Sequence, residues 1–516
     1  MAAQHWHQAQ RLLQAGRLAQ ARAGFEQLLA LPQWVAPARL RLAQIALREG
    51  SLQAATGHAL AATQAAESEP AVLEALCGLL CQLGEIQATL AITRSPALAD
   101  ADDPQILAGI GKLLIDQSLP EEALPLLLRA RRLGLDDAGA HYLVGLARLY
   151  CGELDAAERD FEACLARAPL HAACHRALSG LRRASAGHNH VQRLRQTLAA
   201  MGESHPDSPP LLYALFKQLD DLDDRTAAWQ ALDAGMRRRR AQLRHDRAAE
   251  AALFERLHAF DGARGTAQGC LTDGPLPVFI IGQPRSGTTL LERLLSGSPD
   301  IRDAGELRDF GFQLRYACDS VGPPQPDADL IERAGALDLR AVGERYLART
   351  QWRAQGRRFY TDKLPTNFLL LGLIARALPQ ARFLHMTRAP MDVCFSNLKE
   401  LFADAYPHSY DQEDMACHYR RYHALMAHWR QCLPDRLLEL RYADLVRDPA
   451  AGARRVLDFL GARWDDDVVR IDARPGGIAT ASSVQLREPV HARNVDGWRR
   501  YADQLGPLRD ALDGLV

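Results

Sequence analysis

No apolar run in the chain approaches the roughly 18 residues that a membrane-spanning helix requires. The opening Met-Ala-Ala-Gln-His-Trp-His has no basic segment leading into an apolar core, so neither a signal peptide nor a membrane anchor is expected. Charge of one sign is also missing. A net charge of −1 leaves no global field to draw the protein onto nucleic acid or an anionic membrane, and no nucleic-acid partner is expected. The ten cysteines form no C-x-x-C pair and no zinc spacing, and no His/Cys/carboxylate cluster is spaced as metal ligands, so no metal is expected. Scattered thiols read as reduced residues of a cytoplasmic protein. With 47% hydrophobic and 24% charged residues the composition is globular, and 516 residues exceed one ordinary domain.

Internal repetition organises the first half. Gly16, Gly50, Gly84 and Gly152 lie 34, 34 and 68 residues apart, with Ser118 at the skipped point. Two residues after each point stand Leu18, Leu52, Ile86, Pro120 and Leu154; five after stand Ala21, Ala55, Thr89, Ala123 and Ala157. A 34-residue period, with glycine ending one helix and small residues early in the next, is that of the tetratricopeptide repeat. Gly187 and the Asp221 region with Ala227 continue it weakly. The expected organisation is an α-helical solenoid over 1–260, with about five to seven repeats and capping helices, then a breaker-rich linker over 261–275 and a second domain over 276–516. The run Arg237 to Arg240 with Arg244 and Arg247 reads either as a solvated helix face or as a patch that attracts an acidic peptide.

The second domain begins with Leu276-Pro-Val-Phe-Ile-Ile-Gly-Gln-Pro-Arg-Ser-Gly-Thr-Thr-Leu-Leu-Glu-Arg-Leu-Leu295. An apolar β-branched run, a tight turn and a helically spaced segment aim backbone N–H groups and a helix dipole at one point, which suits a phosphate or sulfate. The glycine spacing of the nucleotide P-loop is kept, but Thr288 stands where its lysine belongs, which argues against a kinase or ATPase. Later apolar runs at 358–361, 382–386 and 437–442 alternate with helical segments, so a mostly parallel sheet covered by helices is expected.

Pro284-Arg-Ser-Gly-Thr-Thr289 resembles the 5′-phosphosulfate loop of sulfotransferases, above all the tyrosylprotein sulfotransferases and bacterial tetratricopeptide-repeat sulfotransferases. The resemblance implies an α/β P-loop-like fold and 3′-phosphoadenosine-5′-phosphosulfate (PAPS) as cofactor, released as adenosine 3′,5′-bisphosphate. Pro284, Arg285, Ser286, Gly287, Thr288 and Thr289 would hold the 5′ end. Arg388 and Ser396, eight residues apart after a strand, resemble the 3′-phosphate motif; Gly305-Glu306 resembles the site of the catalytic base. Lys363, with Arg285, would stabilise charge on the bridging oxygen. Tyr442 resembles a position near the cofactor, and a buried core tyrosine explains it equally well. Ser482, Ser483 and Gln485 match a closing tail in which Glu488 replaces the family's basic residue, with Arg487 the candidate substitute.

What the resemblance implies is sulfonate transfer to a hydroxyl, with Glu306 as base. A peptide or protein tyrosine, bound along the repeats, is the expected acceptor; glycan, lipid and small-molecule hydroxyls stay open, as do a non-catalytic scaffold and self-association of the repeats.

Overall fold

Left-handed backbone punctuates the first part of the chain every 34 residues. In the computed structural model, which describes residues 1–65, 69–202, 204–260, 273–402, 404–471 and 495–515, Gly16, Gly50, Gly84, Ser118 and Gly152 have φ of 72, 85, 75, 58 and 94°. Each joins two helices: Ala2–Gln14 to Leu18–Leu28, Val35–Arg48 to Leu52–Thr63, Pro70–Leu83 to Ile86–Thr93, Pro104–Asp116 to Pro120–Arg132, and Ala138–Cys151 to Leu154–Arg167. Glycine adopts such φ values without steric cost, which is why four of the five points are glycine. Ala21, Ala55, Thr89, Ala123 and Ala157 are all 0% exposed. Small residues there let the paired helices approach closely.

The sixth hairpin departs from this form. Helix Ala172–Gly180 is short, Gly187 lies in a turn closed by a Ser185–His188 bridge, and helix Val191–Met201 follows. In the seventh, Ser208–Asp221 and Arg225–Gln242 meet at Asp223, φ 63°, and the wholly buried small residue is Ala228. The repeat point is therefore Asp223 with Ala228, not Asp221 with Ala227: a non-glycine residue at the turn removed the marker that aligns the other hairpins.

Two compact units emerge: Met1–Leu135 with Arg308–Thr350, and Asp136–Leu307 with Gln351–Val516. In the first, the Phe312 ring sits 2.6 Å from where a Cβ on Gly84 would stand. Asp319 accepts hydrogen bonds from Ser51 Oγ at 3.1 Å and Gln53 N at 2.7 Å, and Arg349 pairs with buried Glu85 at 2.9 Å. Residues 308–350, which follow the phosphate-loop region in sequence, thus pack on the first hairpins. Residues 261–272 of the expected linker lie outside the described residues.

The second unit holds a sheet of β1 (Leu276–Gly282), β2 (Ile301–Arg302), β3 (Phe359–Asp362), β4 (Arg382–Thr387) and β5 (Leu437–Arg441), ordered β2-β3-β1-β4-β5. All four pairings are parallel. Every residue of β1 after Leu276 is buried, as a central strand covered on both faces must be. On one face Val278, Ile280, Leu384 and Leu440 pack with Leu291, Leu294 and Leu295 of helix Thr288–Leu295 and with Val456, Leu457 and Leu460. On the other Phe279 stacks on Phe383 at 5.6 Å, and His385 meets Tyr422 of helix Gln412–Cys432. Among the described residues no helix is long and apolar enough to cross a membrane.

The basic run is largely consumed by internal ion pairs. Arg239 pairs with Asp404, Arg240 and Arg247 both with wholly buried Asp414, and Arg237 with Asp233 at 2.8 Å. It ties helix Arg225–Gln242 to the start of helix Gln412–Cys432 within one unit, while Arg237, Arg244 and Arg247 stay exposed as on a solvated helix face.

Candidate active site

The residues singled out in the second domain follow the last residues of the strands. Gly282 ends β1, Lys363 follows β3, Arg388 follows β4 and Tyr442 follows β5. Carboxyl ends of parallel strands are where open α/β sheets bind ligands.

After β1 the chain turns through Arg285, whose φ of 66° is unusual for a non-glycine residue, and Gly287, φ 107°. Ser286 N–H closes the turn on Gln283 O at 3.1 Å, and buried Thr288 and Thr289 open the helix. A side chain at Gly287 would strike Tyr442, 2.6 Å from the Cβ position. Helix Pro390–Leu398 clamps the loop from the neighbouring strand: wholly buried Asn397 donates to Pro284 O at 2.8 Å, and Arg388 Nη1 donates to Arg285 O at 2.9 Å while its guanidinium lies over the Tyr442 ring at 4.8 Å. Tyr442 is thus both core and loop wall. Ser396, half-buried, precedes Asn397 on that helix.

The loop fits an anion on its own terms. The Ser286 hydroxyl and both Gln283 amide atoms are buried and meet no hydrogen-bond partner among the described residues, a condition that ordinarily costs about 1–3 kcal/mol per group. They sit at a turn that directs N–H groups outward at a helix start. A phosphate-type ligand satisfies the two donors among them, the Ser286 hydroxyl and the Gln283 amide nitrogen.

Positive charge gathers beside the loop. Half-buried Lys399 has its ammonium pulled down to about 8 by desolvation and by Arg388, Arg285 and Arg500, against an opposing pull from Asp220. Desolvation likewise lowers Arg388. Sequence reasoning passed over Lys399 and Asn397; both lie within three residues of Ser396, and only the clamp geometry marks them.

The Glu306 carboxylate, about one-third exposed, accepts from Lys363 Nζ at 2.8 Å, and Lys363 is wholly buried. Lys363 N–H also donates to Gly305 O at 2.9 Å. The sequence thus brought together, across 57 positions, a carboxylate and a cation that touch. Asp392 holds the chain further on, accepting from Asp496 N at 2.8 Å and Trp498 N at 3.4 Å. Ser482, Ser483, Gln485, Arg487 and Glu488 lie outside the described residues.

One titratable cluster sits apart from the loop. Glu250, His408 and His418 bring ligand-type atoms within 4.8 Å of one another. The two imidazoles are stacked at 3.6 Å and 9°, and parallel planes do not direct two nitrogen lone pairs at one point. Glu250 is engaged by His418 at 2.7 Å and Arg421 at 2.5 Å. Burial pushes His408 well below the ordinary histidine range, and His418 and His245 add to the effect. The unfolded chain protonates this residue near pH 6.5 and the folded chain does not, so folding should lose up to about 1.4 kcal/mol per pH unit as pH falls below about 6.5. Urea midpoints at pH 7.5 and 5.5 check this, with a shallower dependence expected for His408→Asn; equal midpoints for the wild type would contradict it.

Residues 277–466 match the profile of the family described as "Sulfotransferase family". An uncharacterized protein of Aquifex aeolicus (strain VF5) is 30% identical over 243 residues, covering 46% of this chain and 32% of its own length. Protein-tyrosine sulfotransferase 2 of Gallus gallus is 25% identical over 236 residues, covering 43% of this chain and 62% of its own. The chain therefore spans 32% and 62% of the length of these two relatives. A solved sulfotransferase domain from the Synechococcus PCC 7002 olefin synthase aligns with TM-score 0.33 and 23% identity over 45% of this chain and 91% of its own. Residues 277–466 are thus similar to the sulfotransferase family, in one polypeptide with helical hairpins that recur every 34 residues.

Proposed function

We propose that this protein transfers the sulfonate of PAPS to an acceptor hydroxyl. The observation that carries the reading is the Glu306–Lys363 contact of 2.8 Å, in the unit whose strand-end loop has the buried, unpartnered Ser286 hydroxyl. Ser286, Thr288 and Thr289 would hold the 5′-phosphosulfate, and Arg388 and Ser396 the 3′-phosphate. PAPS, when bound, supplies the sulfonate and leaves as adenosine 3′,5′-bisphosphate. Glu306 takes the proton of the acceptor hydroxyl; Lys363 and Arg285 hold positive charge where the leaving oxygen becomes negative.

A tyrosine in a peptide or protein is the acceptor we favour, because relatives named as protein-tyrosine sulfotransferases align with this chain at 25% and 26% identity. Stacked helical hairpins such as those within residues 1–135 offer a surface along which such a chain binds. We place the protein in the cytoplasm and assign it no metal.

The test is calorimetric titration with adenosine 3′,5′-bisphosphate, followed by sulfate transfer to tyrosine peptides, glycans and phenols. Micromolar binding, about −8 kcal/mol, supports the reading. Binding without transfer to any acceptor turns it toward a scaffold that senses nucleotide. Tighter binding of magnesium ATP sinks it.

Affinity should also depend on pH. An anion bound beside Lys399 favours its ammonium form, which in the free protein is lost above about 8. The ligand's phosphates are already dianionic at pH 7.5, since their second pKa is about 6. The bisphosphate Kd should therefore hold steady from pH 7 to 8 and then weaken, by up to about tenfold per pH unit. Lys399→Met should weaken binding at pH 7 and remove the slope; a slope that survives this substitution would exonerate Lys399.

A further inference from the structure

One buried carboxyl lies behind the site and takes no part in the scheme above. Glu292, on the helix that the phosphate loop opens, is 6% exposed. Its Oε1 accepts from Thr361 Oγ1 at 2.6 Å and from Gly305 N at 3.2 Å. Thr361 Oγ1 in turn accepts from Ala304 N at 3.2 Å. Two consecutive backbone N–H groups immediately before Glu306 are therefore held by one side-chain relay that starts on the phosphate-loop helix.

The spacing explains how one residue does this. Glu292 stands four residues after Thr288, so both lie on the same face of the helix. A surface helix would place a glutamate toward water. Here all eight residues of Thr288–Leu295 are buried, and the carboxyl is directed at β3 and at the segment that follows β2. Burial raises the Glu292 carboxyl above the ordinary range, with Lys363 acting in the opposite direction. Either protonation state still presents an accepting oxygen to the Gly305 amide.

Resting on the sulfotransferase reading, we infer that Glu292 is a positioning residue: with Thr361 it fixes the 304–306 backbone, and so the Glu306 carboxylate, in register with the phosphate loop. The consequence concerns geometry alone. The base is held by a hydrogen-bond acceptor on the helix whose first turn would hold the sulfonate donor, so donor and base are set by one element.

Glutamine keeps an accepting oxygen at this position, whereas leucine fills the space without one. Hydrogen exchange over residues 303–307 should quicken by about tenfold in Glu292→Leu and stay near wild type in Glu292→Gln. For transfer, Glu292→Leu should lower kcat by about 100-fold, the scale of a misplaced catalytic group, with KM for PAPS and bisphosphate affinity unchanged. Glu292→Gln should restore most of the kcat, and Thr361→Val should reproduce the leucine result. Retained bisphosphate affinity shows that the variants are folded.

Unchanged exchange in Glu292→Leu overturns the inference, as does fast exchange with wild-type kcat. A loss of bisphosphate affinity equal to the loss of kcat also overturns it, because Glu292 would then support the phosphate loop rather than the base. A wild-type protein that neither binds bisphosphate nor transfers sulfonate overturns the functional reading and this inference together, and is recognised before any substitution is made.

Discussion

Replacing Lys363 by methionine should lower kcat for sulfonate transfer by about 100- to 1000-fold, while adenosine 3′,5′-bisphosphate still binds. The magnitude is that of one preorganised donor aimed at developing charge, about 2.7–4 kcal/mol. Lys363 follows the last residue of β3, is wholly buried, and has Glu306 as its hydrogen-bond partner at 2.8 Å. A buried ammonium costs free energy unless paired, and the contact with Glu306 offsets that cost. Methionine keeps the straight stem and removes the charge, so the volume survives and the electrostatics do not. Arginine would not rescue, since its planar fork does not fit where a point charge is sealed. Single-turnover rates with PAPS and a tyrosine peptide, beside calorimetry with the bisphosphate, separate the effects. Wild-type kcat in Lys363→Met would remove Lys363 from the chemistry; lost binding would assign it to the cofactor site instead.

What the sequence could disclose followed from how local each signal is. The hairpin turns were legible because left-handed backbone selects glycine, and the 34-residue lattice falls on positive-φ residues at all five points. The same rule hid the seventh hairpin, where Asp223 adopts that φ without being glycine. Helix Thr288–Leu295 has the bounds that helical spacing predicts, and β1, Leu276–Gly282, extends the β-branched run 278–281 at both ends; two-residue β2 is too short for any period to register. Residues Arg308–Thr350 fold with Met1–Leu135, a contact pattern between distant stretches that composition does not encode. Of the candidate site, Arg285, Arg388, Glu306 and Lys363 stood out in the sequence as a motif set. Asn397, Lys399 and Glu292 did not, because an asparagine, a lysine and a glutamate on or beside helices are ordinarily solvated, and only the fold turns them inward.

Arg388→Ala should abolish measurable bisphosphate binding at micromolar concentration. Removing one partner of a desolvated charged contact costs about 2–5 kcal/mol, roughly a 30- to several-thousand-fold rise in Kd. Two functions are lost at once. The guanidinium braces the phosphate loop through Arg285 O at 2.9 Å, and it lies over Tyr442, the ring that packs against Gly287. Arg388→Lys separates them: an ammonium keeps the charge and loses the fork that reaches a carbonyl and a phosphate together. If loop bracing dominates, Lys should be nearly as poor as Ala and the variant's loop should exchange faster; if charge dominates, Lys should recover most of the affinity. Comparing adenosine 3′,5′-bisphosphate with adenosine 5′-phosphate completes the argument. Arg388→Ala should erase the preference for the bisphosphate, because the preference comes from the 3′-phosphate alone. A preference that survives in Arg388→Ala would move the 3′-phosphate to other residues, with Lys399 first among them.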